Sequence, residues 1–200
     1  MATKVEIDLL KAYCVGRGLN IGCGKRPITG AINVDVDPAA LADVFGDAAQ
    51  LPFYSERFDF VVSSHCLEHI REAPLIVLRE WLRVLKVGGM LAFIVPDGNE
   101  GPVSLGSTPG EFIPHRHVHV FTEKTLRVLL VYAGADLLKI QVLRRRTEWN
   151  TNTILCVVKK IHKSTEELNP NGLRAKYSWI KQVVHTIKMG KLYSLSRKDT

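Results

Sequence analysis

Apolar and polar positions follow two rhythms along the first 160 residues of this chain. Short continuous apolar runs, the mark of strands covered on both faces, end at Gly22 and Asp35 and recur at Ala42–Phe45, Phe58–Ser63 and Met90–Val95. Helical spacing appears between and around them. Val5 to Tyr13 reads as a short amphipathic helix. Leu75, Leu78, Leu82 and Leu85 share one face of another, which Pro74 can open at its first position and Gly88-Gly89 should stop. Thr122 suits the N-cap of a third helix, whose Leu126, Leu129, Leu130 and Ala133 face inward until Gly134 ends it. Strict alternation then returns. Leu138, Ile140 and Val142 against Lys139 and Gln141 predict a half-exposed strand, and Thr153–Val158 predicts another.

Strands alternating with helices define an α/β class with a mostly parallel, Rossmann-like sheet. Its last two strands are joined only through residues 144–150, too few for a crossover, so they should form a terminal antiparallel hairpin. The first two strands are separated only by residues 23–30, so any helix between them must be vestigial. Residues 96–114, rich in Gly and Pro, predict a long loop of the kind usually kept for function.

Gly22-x-Gly24 closes the first strand and the carboxylate Asp35 closes the second. Side by side, they place bare backbone and an acid at one sheet edge, where open α/β folds bind nucleoside cofactors and a carboxylate can hold the ribose hydroxyls. A dinucleotide site would also need a third glycine and a helix N-terminus for the pyrophosphate. Lys25-Arg-Pro-Ile-Thr-Gly30 supplies neither. A phosphate-free nucleoside does not need that helix, and S-adenosylmethionine is such a ligand.

Charge divides the chain. Residues 1–159 carry 18 basic and 17 acidic side chains, whereas residues 160–200 carry 9 and 3, so most of the net +7 sits in a tail. There Leu173, Tyr177, Ile180, Val184 and Ile187 recur at spacings of four and three, predicting a basic amphipathic helix. The expected division is a cofactor-binding domain over 1–162 and a helical extension over 163–200. That extension would suit its own domain, a second copy in a homodimer, or an acidic membrane surface. Its few aromatic residues argue against a nucleic-acid platform. Four scattered cysteines, no apolar run of eighteen residues and no signal-peptide pattern at the N-terminus are what a cytoplasmic protein would show.

Seven segments in order carry a resemblance to the class I S-adenosylmethionine-dependent methyltransferases, in particular the small bacterial and archaeal ones. They are Asn20-Ile-Gly-Cys-Gly24, Asn33-Val-Asp35, Gly46–Phe53, Phe58–Val62, His65-Cys-Leu-Glu-His69, Leu85–Leu91 and His117–Thr122, and the likeness covers roughly residues 15–160. The resemblance implies that Gly22 and Gly24 admit the methionine portion of the cofactor and that Asp35 holds the ribose. It implies further that Asp47 takes the adenine amino group beside the Ala48 backbone. Asn20, Cys23, Val36, Ser64 and His65 complete the expected cofactor-binding set. Two positions depart from the family pattern. Asn20 stands where an acid is usual, and Arg26 stands near the place of a third glycine.

The histidines admit other readings. His65-Cys-Leu-Glu-His69 matches a zinc-peptidase pattern, which needs both histidines on an established helix and a distant third ligand. Here it follows a strand at once, so His65 should line the cofactor pocket while Glu68 and His69 begin a turn. His115, His117 and His119 would point one way in an extended segment and could bind a metal, but no carboxylate or cysteine joins them in sequence. We therefore expect no metal. Either His119 or His117 could serve as a catalytic base for the acceptor. The expected activity is methyl transfer to an O, N or C nucleophile of a small-molecule or sugar-like acceptor. The alternatives are a non-catalytic scaffold of the same fold and, less favoured, a nicotinamide-dependent oxidoreductase.

Overall fold

The apolar runs pair into one seven-stranded sheet in a computed structural model that describes residues 3–99, 117–143 and 152–161. In chain order the strands are β1 (Gly18–Ile21), β2 (Ala31–Asp35), β3 (Val44–Phe45), β4 (Phe58–Ser64), β5 (Leu85–Pro96), β6 (Ala135–Leu143) and β7 (Thr153–Lys160). Their spatial order is β3-β2-β1-β4-β5-β7-β6. The first five are parallel, and β7 lies antiparallel between β5 and β6. The expected parallel sheet with a terminal antiparallel hairpin is therefore the observed one. The basic helical extension and the loop tip, including His115, lie outside the described residues.

Both faces of the sheet are covered, which explains the unbroken apolar runs. Along β5, Leu91, Phe93 and Val95 face one layer with Leu19 and Ile21 of β1, while Ala92 and Ile94 face the other. The first layer is completed by α2 (Pro74–Val84) and α3 (Glu123–Ala133) through Val77, Leu78, Trp81, Leu126 and Leu130. The second rests on α1 (Lys4–Lys11), whose Ile7 and Leu10 pack on Phe60 and Val62. Each of α1 and α3 opens on a reciprocal capping box, Thr3 with Glu6 and Thr122 with Thr125. No helix among the described residues is long and apolar enough to cross a membrane.

Two helix boundaries and one strand register differ from the sequence reading. α1 stops at Lys11 rather than Tyr13. α2 stops at Val84, and Leu85 already pairs with Phe58, so Gly88-Gly89 does not end the helix. The glycines instead form an irregularity, because the register jumps from Phe58↔Leu85 to Phe60↔Met90. A Cβ on Gly89 would lie 2.9 Å from the Lys86 carbonyl oxygen, a contact that excludes a side chain. In β6 a second register shift falls between Leu137 and Lys139. It turns Leu138 outward, 52 % exposed, and leaves Leu137, Ile140 and Val142 on the core.

Candidate cofactor and acceptor site

β1 has β2 on one side and β4 on the other, so the chain changes direction across the sheet at β1, the topological switch point where open α/β sheets bind ligands. Residues 22–30 contain no helix and return directly to β2. A buried amide network does the fastening instead. Asn20 Nδ2 donates to Asn33 Oδ1 at 3.0 Å and to the Arg26 carbonyl at 3.2 Å. Asn33 Oδ1 also accepts from Ile28 N, and Asn33 Nδ2 donates to Asp43 Oδ2 at 2.8 Å. Asn20 is 2 % exposed and its side-chain amide belongs to this network. Through its amide nitrogen Asn20 positions the loop, by partners that no local pattern announces.

The loop presents backbone. Gly22 adopts φ +68°, and a Cβ there would sit 2.6 Å from Cys66 Cβ and Sγ in the turn after β4. Gly24, at φ +50°, would meet nothing within 4 Å. One glycine lets two turns touch and the next opens on free space. Gly24 N donates to Asp35 Oδ2 at 2.7 Å, and Asp37 N donates to Oδ1 at 2.9 Å. Each carboxylate oxygen thus keeps acceptor capacity, a pair suited to two vicinal hydroxyls. Cys23 is buried, its thiol pushed up to about 11 by burial and the charges of Asp35 and Asp43, so only its backbone is available. Val36 is exposed beside Asp35.

Asp47 follows β3 at the same edge, with Oδ1 accepting from Ala49 N at 2.8 Å. Trp81 Nε1 donates to the Ala48 carbonyl at 2.9 Å and so pins this loop to α2. Ser64 ends β4 with a buried Oγ that has no hydrogen-bond partner among the described residues. An orphaned hydroxyl, an open glycine and a carboxylate with unused acceptor capacity at one edge fit a hydroxyl-rich ligand. Gly22→Ala is expected to destabilise by about 1–2 kcal/mol from the left-handed backbone alone, and to weaken S-adenosylhomocysteine binding as Cys66 is displaced. Thermal melts and titration check both; an unchanged melt would contradict the close approach.

His65 takes φ +53° just past β4. Its Nε2 lies 3.2 Å from Glu6 Oε1 and its Nδ1 lies 3.3 Å from Glu68 Oε1. Burial alone would lower its pKa, but the two carboxylates prevail and raise it to about 9. Burial would likewise raise Glu6, yet the bonds to His65 and Thr3 hold it at about 2, below the usual 4.5. A carboxyl lowered on folding stabilises above its ordinary pKa, and that stability is lost as pH falls from about 4.5 toward 2. Glu6→Gln should therefore flatten this acid limb and remove on the order of 2–3 kcal/mol at neutral pH. Urea midpoints across pH test it; parallel acid limbs in the two proteins would contradict the pairing. Glu6 lies fifty-nine positions from His65, and its place in a capping box is the only signal it carries in the sequence.

His117 and His119 do not keep the alternation expected of a strand. Val118 N and His119 N both donate to the Glu68 carbonyl, at 2.8 and 3.1 Å, which bends the segment around the 3-10 turn Leu67–His69. His119 Nε2 donates to the Glu72 carbonyl at 3.0 Å, whereas the His117 ring stands edge-on to His69 with centroids 5.0 Å apart. Burial lowers both pKa values, against the opposing pull of Glu68 on His117 and of backbone carbonyls on His119. The grouping of His115, His117 and His119 includes a residue outside those described. The ligating atoms that do come together, within 4.8 Å of one another, belong to Glu68, His69 and His117.

The strand order β3-β2-β1-β4-β5-β7-β6, parallel except for an antiparallel β7, is that of the class I S-adenosylmethionine-dependent methyltransferase fold. Residues 19–93 match the family model of the methyltransferase domain. Among solved structures, a Methanosarcina mazei S-adenosylmethionine-dependent methyltransferase aligns with TM-score 0.63 at 20 % identity over 76 % of this chain and 97 % of its own. The Burkholderia thailandensis 1,6-didemethyltoxoflavin N1-methyltransferase, solved with its substrate and S-adenosylhomocysteine, aligns with TM-score 0.57 at 21 % identity over 73 % and 71 %. The 4+2 cyclase SpnF aligns with TM-score 0.57 at 18 % identity over 77 % and 80 %. At these identities the likeness establishes the fold. Among curated proteins none matches the chain.

Proposed function

We propose that this chain transfers the methyl group of S-adenosylmethionine to an oxygen, nitrogen or carbon nucleophile of a small-molecule or sugar-like acceptor. The observation that carries the reading is the Gly24–Asp35 bond at the switch point, which joins the bare-backbone turn to a carboxylate with both oxygens still able to accept. When bound, the sulfonium cofactor supplies an already activated methyl, so the protein has mainly to align the acceptor and exclude water. Asp35 would take the ribose hydroxyls, the Gly22–Gly24 backbone the methionine portion, and the Asp47–Ala48 turn the adenine edge. Ser64 Oγ, buried and unpartnered among the described residues, would gain a partner.

An acceptor that arrives protonated needs a base. His119 suits that role, because burial lowers its pKa and keeps the imidazole neutral, able to take a proton at neutral pH. A second reading keeps the fold without methyl transfer; one protein of similar fold is a 4+2 cyclase. The deciding experiment incubates the full chain with methyl-labelled cofactor and fractionated cell extract. Label in a small-molecule product together with S-adenosylhomocysteine supports methyl transfer. Cofactor binding with neither product supports the second reading.

A further inference from the structure

Glu68 is 1 % exposed; its Oε1 faces His65 Nδ1, while its Oε2 has no hydrogen-bond partner among the described residues. Burying a carboxylate oxygen without a partner is costly, and proteins normally answer that cost with a cation or a donor. Three imidazoles from two segments surround it. His65 Nδ1 lies 3.3 Å from Glu68 Oε1 and His69 Nε2 lies 3.9 Å from the same oxygen. The His117 ring stands edge-on to that of His69. The placement is built into the backbone. The 3-10 turn carries Glu68 and His69, and its Glu68 carbonyl accepts two amides from the segment that delivers His117.

We propose that Glu68, His69 and His117 form a binding site for a divalent first-row transition ion, Zn2+ foremost. Two imidazole nitrogens and one carboxylate oxygen are a borderline donor set that suits Zn2+ and its neighbours and disfavours Mg2+, which takes oxygen ligands. The three ligating atoms lie within 4.8 Å of one another. Closing them to bonds of about 2.0–2.2 Å asks for side-chain rotation of the order of an ångström. His65 then serves as the outer-shell partner that orients the Glu68 carboxylate. Three protein ligands leave a coordination position open, as in catalytic rather than structural zinc sites. The site follows β4 at the edge shared with Ser64 and His65. On the methyl-transfer reading, the open position would accept a hydroxyl or amine of the acceptor, but ion binding itself does not depend on that reading.

The test uses Co2+ as a visible substitute on full-length protein stripped with chelator. One equivalent should produce d–d absorption of a low-coordinate nitrogen and oxygen site, displaced by Zn2+ and unaffected by Mg2+. Glu68→Gln and His117→Ala should each weaken binding at least a hundredfold, beyond the ten- to hundredfold typical of outer-shell changes, while His119→Ala leaves it intact. Should a variant fail to fold, imidazole NMR of the unsubstituted protein decides instead, with Zn2+ shifting two histidines and two variants of those residues assigning them. Absence of Co2+ absorption, displacement by Mg2+, or binding that survives in both ligand variants would overturn the site. S-adenosylhomocysteine binding, measured on the same samples, separates that failure from any failure of the methyltransferase reading.

Discussion

Trp81→Ala is expected to cost about 3–5 kcal/mol, the upper range for truncating a buried aromatic side chain. The indole is fully buried between α2 and the sheet and meets Phe93 of β5 edge-on, with ring centroids 6.2 Å apart. Alanine would remove that packing and leave a cavity in the larger of the two layers. It would also release the Ala48 carbonyl from Trp81 Nε1. The substitution should therefore act twice, lowering the chemical-denaturation midpoint and loosening the Asp47–Ala48 turn beside the cofactor edge. Trp81→Phe should recover most of the packing but not the hydrogen bond. Equal cofactor affinity in Trp81→Phe and the unsubstituted protein would show that the indole bond does not position that turn.

Asp35→Ala is expected to lower affinity for S-adenosylhomocysteine by about 1.5–3 kcal/mol, roughly ten- to 150-fold, the range for hydrogen bonds to a charged group. Part of the effect is direct, through the ribose hydroxyls. The rest comes through Gly24 and Asp37, whose amides both donate to this carboxylate. Asp35→Asn separates the two, because an amide retains one acceptor oxygen and so preserves one backbone tie. An affinity for Asp35→Asn between those of the aspartate and alanine forms fits both roles. Unchanged affinity in a folded Asp35→Ala protein would place the ribose elsewhere.

The periodicity of the chain suffices for the sheet, because its central parallel strands are covered on both faces and read as continuous apolar runs. Gly22, Gly24 and Asp35 are legible for a related reason: parallel pairing of β1 with β2 brings their ends to one edge without any long-range knowledge. What escapes the sequence depends on contacts between distant segments. Leu138 has the alternation of a core position, but a register shift moves Leu137 into its place. Asn20 has the position of a cofactor ligand, and nothing local announces that its amide nitrogen ties Asn33 to the Arg26 carbonyl. Glu6 belongs to a helix remote in sequence from every site motif, yet α1 folds back to set it against His65. Sequence spacing groups the histidines by motif, whereas the fold takes His69 from one motif and His117 from the other.

Titration calorimetry of the full chain with S-adenosylhomocysteine and with NAD tests the cofactor assignment most directly. The expected result is one S-adenosylhomocysteine per chain, bound with an affinity that Asp35→Ala reduces, and no heat from NAD. Binding of NAD in its place, or no binding of S-adenosylhomocysteine to folded protein, would contradict the site described at Gly22, Gly24 and Asp35.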